Sequence, residues 1–398
     1  MNQPSEKKDC CGQDYPCDTG LQPLGPRPLP MAQPDNDPCC GPRPGPPSSP
    51  NERPGYTLCH FVDGFVDTPA GPVPRVSTSL NPADFLGNIR ARIGFQRDRY
   101  RIAPGLYCVG NPDPESPVLV SANYKLTFDT VRKNLKGLDT WLLVLDTRGI
   151  NVWCAAGKKT FSTDEIIRRA GLSSLAKIVS HRNLILPQLG APGVSAHRVK
   201  KGCGFQVVWG PVRAGDIIKF LENELQASPA MRTVTFTLWE RFVLIPVELT
   251  LILKPSLWIL LLIFFISGIS PDFSFSSAWH RGLAAASAYG MGIFAGAVLV
   301  PLLLPWLPSR SFYIKGMVSG MAGSIALLPF LGKILPLEAM TLFLLTSAVS
   351  SYTAMNFTGA TPFTSPSGVE KEMKRGIPLQ AGAMLVAVAA WIAGPFMG

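Results

Sequence analysis

Charge almost disappears from this chain at Phe242. From there to the C-terminus, 157 residues hold only 8 Lys/Arg and 5 Asp/Glu, whereas the first 241 hold 29 and 22. A stretch so apolar has to be buried in protein or dissolved in lipid. It resolves into five apolar segments, near 245–269, 282–304, 312–331, 334–354 and 377–397. Each is about long enough to cross a ~30 Å hydrocarbon core at ~1.5 Å per residue. The expectation is an all-α transmembrane domain of five helices over residues 245–398, with 230–244 as linker. Pro255 is expected to kink or divide the first helix. Gly290, Gly292, Gly296, Gly316, Gly320 and Gly323 allow close helix packing. With the polar part inside, inner loops carry Arg310, Lys315, Lys371, Lys374 and Arg375, and outer loops only Arg281 and Lys333. That asymmetry predicts an inner-membrane, multi-pass protein with its N-terminal domain in the cytoplasm and its C-terminus outside.

Residues 1–56 contain 14 prolines and little apolar periodicity, which reads as a disordered tail. The first thirty residues lack an apolar stretch of secretory-signal type. The cysteines are therefore expected to be reduced, favouring reactive or metal-binding roles over disulfides. Cys10-Cys11 and Cys39-Cys40 form two vicinal pairs in the tail, with Cys17 between them. Soft thiol pairs suit a soft metal ion such as Hg(II). Their spacing does not match an iron–sulfur run, so no cluster is expected in this chain. The net charge is +10, yet no basic run with interleaved aromatics occurs, which argues against nucleic acid. An anionic membrane surface or anionic ligands suit the excess better.

Residues 57–229 alternate strand and helix signals. Pro117–Ala122, Trp141–Asp146, Leu184–Leu186 and Phe205–Trp209 read as buried strands. Thr127–Leu135 and Gly215–Leu225 have helical spacing, and Ser162-Thr-Asp-Glu165 has the form of a capping box. Such alternation predicts an α/β, Rossmann-like domain with a largely parallel sheet. Ligands of such sheets sit beyond the carboxyl ends of the strands.

Cys154 follows one of those ends, within Asn151-Val-Trp-Cys-Ala-Ala-Gly-Lys158. The small residues Ala155, Ala156 and Gly157 leave little bulk around the sulfur, so a large flat group has room to approach. By itself, a lone cysteine among Ala and Gly also reads as a small buried hydrophobe. The octapeptide resembles, at every position, the cap-helix motif of the mercury-methylating corrinoid proteins, the HgcA family. More loosely, residues 57–229 resemble the cobalamin-binding part of the corrinoid iron–sulfur protein large subunit. The resemblance implies a cobalamin bound by Asn151, Val152, Trp153, Cys154, Ala155, Ala156, Gly157 and Lys158. It makes Cys154 the lower axial cobalt ligand and the catalytic residue. Asn151 and Trp153 would shape the cap, and Lys158 would contact a corrin amide or cap the helix. None of His60, His181, His197 and His280 fits the D-x-H-x-x-G pattern of histidine-ligated cobalamin domains.

By the same resemblance, the chain transfers a methyl group from methylcob(III)alamin to Hg(II). Hg(II) is an electrophile, and an electron-rich thiolate opposite the methyl suits such an acceptor. Implied partners are a small ferredoxin with two four-iron clusters, a methyl-donor protein or methylfolate, the membrane, and the Hg(II) substrate. Cys10, Cys11, Cys39 and Cys40 become candidates for Hg(II) capture. Two alternatives stand beside this reading. One is a membrane-anchored corrinoid methyl carrier of one-carbon metabolism. The other is a membrane receptor or transporter, which the sparse polar residues of the apolar segments disfavour.

Overall fold

The structure, a computed structural model, describes residues 59–357 apart from 96, 272 and 333, together with 366–397. The tail with its four paired cysteines lies outside the described residues. The chain divides into two compact units, one of Met1–Ala91 with Gln96–Thr233, the other of Arg92–Phe95 with Val234–Gly398.

The first unit begins with the hairpin β1 (Val62–Thr68) and β2 (Gly71–Val76), followed by helix α1 (Pro82–Ile93), whose last two residues fall in the second unit. Then come β3 (Gly105–Val109), β4 (Val118–Ala122), α2 (Lys125–Lys133) and β5 (Thr140–Leu145). The chain continues through α3 (Val152–Gly157), α4 (Thr163–Leu172), α5 (Leu175–Ile178) and β6 (Asn183–Leu186). It closes with α6 (Ala196–Cys203), β7 (Gln206–Trp209) and α7 (Ile217–Glu222). The strands form one seven-stranded sheet in the order β1-β2-β3-β5-β4-β6-β7.

The expected largely parallel sheet is a mixed one. β5, β4, β6 and β7 are parallel neighbours, but β3 lies antiparallel on β5, and β1 antiparallel on β2. The antiparallel edge comes from segments before Pro117 whose strand signals are interrupted by Gly and Pro. β5 is paired on both sides along its length, from Gly105↔Val144 on β3 to Ala122↔Leu145 on β4. Every residue of β5 is buried, because helices cover both faces. Leu142 and Val144 face a core with Phe128, Leu135 and Phe220, from α2, its following turn and α7. Trp141, Leu143 and Leu145 face the other core, with Ala155, Ala156, Ile166, Ala170 and Val199 of α3, α4 and α6. This is a three-layer α/β/α sandwich whose period-2 alternation assigns each β5 side chain to one layer.

The second unit is helical: α8 (Leu238–Phe242), α9 (Ile245–Ser267), α10 (Phe275–Ile293), α11 (Val300–Leu302), α12 (Phe312–Leu327), α13 (Pro336–Met355) and α14 (Pro366–Met397). A π-helical turn, Phe294–Leu299, joins α10 to α11. Among the described residues, three helical stretches are long and apolar enough to cross a membrane: Leu238–Ser267, Phe275–Leu302 and Gly368–Met397. The expected five are not all of this kind. α12 has 16 residues, about 24 Å of helix, short of a ~30 Å core. α13 is long enough, but Thr341, Thr346, Ser347, Ser350, Ser351 and Thr353 dilute its hydrophobicity and are buried. Pro255 does not divide α9, which runs through it as one helix.

α13 is the axis of this unit. A Cβ on Gly292 would lie 2.8 Å from Val349, and one on Gly320 would lie 2.8 Å from the Ser347 backbone. These glycines let α10 and α12 approach α13 at backbone distance. Gly290, by contrast, faces open space. Ser350 Oγ donates to the Gly316 carbonyl at 2.6 Å, Ser351 Oγ to Tyr313 O at 2.8 Å, and Gln380 on α14 donates to Ser351 Oγ at 2.8 Å.

In the first unit, α2 and α1 are fastened by a buried ion cluster. Lys125 Nζ lies 2.6 Å from both Asp84 Oδ1 and Asp129 Oδ1. Arg132 reaches Asp84 Oδ2 at 2.6 Å and Asp129 Oδ1 at 2.8 Å, and also donates to the Ser77 and Ser79 carbonyls. Burial alone raises the Asp84 carboxyl, but hydrogen bonds from Lys125, His60 and Arg132 outweigh it and hold the group well below the usual carboxylate range. Removing one member strands the others unpaired in the interior. We expect Asp84→Ala to cost about 3–5 kcal/mol, read as lost amide-exchange protection of residues 125–133 in the full chain. Because the folded-state pKa of Asp84 is depressed, its stabilisation is complete above the unfolded value of about 4 and fades as pH falls below that. Exchange protection measured down the acid range should therefore decline in the native protein. The part of the decline carried by Asp84 should be missing from Asp84→Ala.

Candidate functional site

β5 ends at Leu145, and the turn after it is moulded by one side chain from the neighbouring strand. Asn123, just past β4 and 2 % exposed, has its amide oxygen 3.0 Å from Thr147 N, 2.9 Å from Thr147 Oγ1 and 3.0 Å from Gly149 N. Its amide nitrogen donates to Asp146 Oδ1 at 3.2 Å, and Asp146 Oδ1 accepts from Arg148 N at 3.0 Å. Thr147 Oγ1 also lies 2.7 Å from the Ile150 carbonyl. The turn needs two successive left-handed residues, Arg148 at φ 57° and Gly149 at φ 72°. Glycine accepts that geometry without cost, and Asn123 holds Arg148 in it by bonding both sides.

The chain then enters α3. Asn151 is extended, with φ −64° and ψ 160°, and its side chain accepts from Cys154 N at 2.9 Å. This is an N-cap bond to the third helical residue, so the asparagine of the octapeptide binds the cysteine backbone rather than its sulfur. The sequence-predicted residues then divide between two faces of α3. Val152, Ala155 and Ala156 are buried, while Cys154, Gly157 and Lys158 are exposed, and Asn151 and Trp153 are half-buried.

The role of the two alanines thus differs from the expected one. They do not clear space around the sulfur; they let α3 sit down on its support. A Cβ on Gly193, in the 3₁₀ turn Gln188–Gly193 after β6, would lie 3.0 Å from the Ala156 Cα. Gly193 therefore has no room for any side chain. Gly157 is the residue that clears space. It stands one turn beyond Cys154 on the same exposed face, with nothing within 4 Å of where its Cβ would be. A free, exposed thiol therefore stands one turn from a position with open space beside it.

α3 is followed at once by α4, capped by Ser162, which accepts from Glu165 N at 3.3 Å. The expected capping box is only half formed. Glu165 Oε1 instead accepts from Asp146 N at 3.0 Å and from Arg169 at 2.8 Å, tying α4 to the end of β5. Cys154, Asn123 and Glu165 thus belong to one connected turn at the carboxyl edge of the sheet. Asn123 and Glu165 were not singled out as site residues from sequence. The available signal was an asparagine that ends a fully buried strand.

The other described thiols are differently placed. Cys108 is buried, its Sγ 3.6 Å from the Pro74 carbonyl, and burial pushes the thiol up to about 12. Cys203 donates to Val199 O at 3.3 Å, and Cys59 is exposed. Three histidine rings have partners: His60 at Asp84, His181 at the Ser116 carbonyl and His280 at the Ser276 carbonyl. His197 is exposed in the first turn of α6, at the same edge of the sheet as Cys154. A concavity of about 350 Å³, lined by Asp63, Arg75, Gly110 and Asp139, lies at the opposite edge, by the start of β5.

Residues 96–221, spanning β3 through most of α7 and including Cys154, match the sequence profile of the family described as CO dehydrogenase/acetyl-CoA synthase delta subunit. The acetyl-CoA decarbonylase/synthase complex subunit gamma of Methanopyrus kandleri is 32 % identical over 130 residues, 32 % of this chain and 28 % of that one. The Archaeoglobus fulgidus subunit gamma is 31 % identical over 129 residues, 32 % of this chain and 27 % of its own. Subunit gamma 2 of Methanosarcina thermophila is 35 % identical over 123 residues, 30 % of this chain and 26 % of its own. The chain spans little more than a quarter of the length of these curated relatives.

Proposed function

We propose that this protein is a membrane-anchored, corrinoid-dependent methyltransferase. Cobalamin would be held at the carboxyl edge of the sheet, with the Cys154 thiolate as the chain's ligand to its cobalt. The observation that carries this reading is the exposed Cys154 on a turn held from two sides, with the open Gly157 surface beside it. The likeness of residues 96–221 to the CO dehydrogenase/acetyl-CoA synthase delta subunit family, and of about a third of the chain to acetyl-CoA decarbonylase/synthase gamma subunits, supports the class of chemistry.

When bound, the cobalt supplies a centre that takes up and gives away a methyl group. The chain's residues position that centre. Cys154 contributes a soft, electron-rich donor to it. Asn151 keeps the Cys154 backbone in the first turn of α3, and Asn123 keeps that turn on β5, so the sulfur does not wander. Gly157 leaves the face clear, and the half-buried Trp153 and exposed Lys158 border it. Ala155 and Ala156 lock α3 to the core beneath.

For the acceptor, we favour Hg(II), on the full octapeptide Asn151–Lys158. An electrophilic acceptor needs the methyl with bonding electron density, and a thiolate donor increases that density. The relatives favour the other acceptor more directly, since their names place them in acetyl-CoA chemistry; in that reading the chain is a corrinoid methyl carrier of one-carbon metabolism. A low-potential ferredoxin with two four-iron clusters as electron donor, a methylfolate or methyl-donor protein, and Hg(II) capture by Cys10, Cys11, Cys39 and Cys40 belong to the proposal. So does the topology with the α/β unit in the cytoplasm.

Full-length protein reconstituted anaerobically with cobalamin separates these possibilities. Cys154→Ala should keep the fold yet change the visible cobalt spectrum and remove most Hg(II) methylation, while His197→Ala should leave the spectrum as it is. An unchanged spectrum in Cys154→Ala would sink the ligand assignment. Normal corrinoid loading with no methylmercury, but with methyl exchange to an acetyl-CoA synthase component, would select the one-carbon carrier. A separate prediction concerns the open face. Gly157→Phe should leave thermal stability within about 1 kcal/mol, since its Cβ meets no atom. It should weaken corrinoid binding at least about tenfold, or ~1.4 kcal/mol. Maleimide labelling of native protein should modify Cys154 quickly and Cys108 only on unfolding, and bound corrinoid should protect Cys154. Equal protection of Cys154 in Gly157→Phe and in the unmodified protein would count against this face as the ligand's seat.

A further inference from the structure

We propose that the outward face of α1 docks the α/β unit on the surface of an anionic lipid bilayer. α1 is built in two opposed halves. Its inner half is tied to the domain: Asp84 sits in the buried ion cluster, Ala91 is buried, and Asn88 Oδ1 accepts from Tyr100 OH at 3.1 Å. Gly87 lies against the Tyr100 ring, where a Cβ would approach within 2.8 Å. The helix is thus held at a set rotation.

Its outer half is apolar. Phe85, Leu86, Ile89 and Ile93 are 65, 48, 38 and 43 % exposed. At 3.6 residues per turn they fall within an arc of about 100°. Arg92 lies about 20° to one side of that arc and Arg90 about 40° to the other, and both are exposed. The single acidic residue of α1, Asp84, is buried. An apolar stripe bordered on both sides by arginines, with no exposed carboxylate, is the pattern of a helix lying in a membrane interface. The rings and aliphatic chains enter the acyl boundary, and the guanidinium groups reach phosphate oxygens. Four large apolar side chains in one stripe form a patch that a solitary soluble domain rarely leaves in water. The proposal rests on the membrane-anchored reading of the chain but not on the role of Cys154.

The test uses the full chain in nanodiscs, with p-benzoylphenylalanine in place of Phe85 or Ile89, and in place of the exposed Ala83 as the off-face control. After illumination, mass spectrometry reads whether the probe has bonded lipid or protein. In mixed phosphatidylglycerol and phosphatidylcholine, positions 85 and 89 should give lipid adducts and position 83 few. Pure phosphatidylcholine, or Arg90→Glu with Arg92→Glu, should lower the yield at least about fivefold. Adducts to a second copy or to the chain's own N-terminal tail would overturn the proposal, as would yields independent of headgroup charge. A chain that fails to enter nanodiscs at all would instead refute the membrane-anchored reading, and this proposal with it.

Discussion

The Asn123 amide is the fastening on which the candidate site depends. A strand end is normally free to leave its sheet in several directions, and the β5–α3 turn contains two left-handed residues that no local preference would hold together. One buried amide from the adjacent strand accepts from Thr147 and Gly149 and donates to Asp146, so the turn inherits the rigidity of β4. Glu165 adds a second tie, from α4 to the Asp146 amide. A buried amide with these bonds made is stabilising; with its partners removed it would cost more than the bonds gain. The arrangement is therefore selective for this turn geometry.

α3 shows how six residues can serve two masters. Its core face is Val and Ala, small enough for backbone contact with the Gly193 turn, and its outer face is a thiol and a glycine, with Lys158 just past its end. A side chain at Gly193 would lift the helix, and one at Gly157 would meet no atom at its Cβ. Packing and accessibility are thus assigned to different residues of the same short element. That separation is what a site needs if it is to hold a ligand precisely without weakening the domain.

The same division of labour organises the helical unit. α13 spends its Ser and Thr hydroxyls on neighbouring carbonyls at Ala288, Tyr313 and Gly316, and glycines on α10 and α12 accept its backbone. Hydroxyl-to-carbonyl bonds inside an apolar unit satisfy groups that have no water to turn to. The cost appears as lowered hydrophobicity of α13, which is why its length alone does not make it a lipid-facing span. The three stretches that are long and apolar enough to cross expose more side chain than α13 does.

Much of this protein was legible in its sequence because the signals were local. The charge break at Phe242, the apolar runs at 118–122 and 141–145, the Ser162 cap and the octapeptide around Cys154 each depend on neighbours a few residues away. β1, β2, β3 and α1 were not recovered, since glycines and prolines interrupt their periodicity and their burial depends on strands distant in the chain. The antiparallel placement of β3 on β5 had no signal at all, because direction in a sheet is set by pairing partners rather than by the strand's own residues. The alanines of the octapeptide were legible as small but not as inward-facing; only the Gly193 turn, 37 residues on from Ala156, decides which side of α3 meets the core. The sequence determined that a single cysteine stands just past a buried strand. The tertiary structure decided that its thiol faces outward beside an open glycine, because Asn123 and Gly193, brought there by β4 and β6, fix the rotation of the helix that carries it.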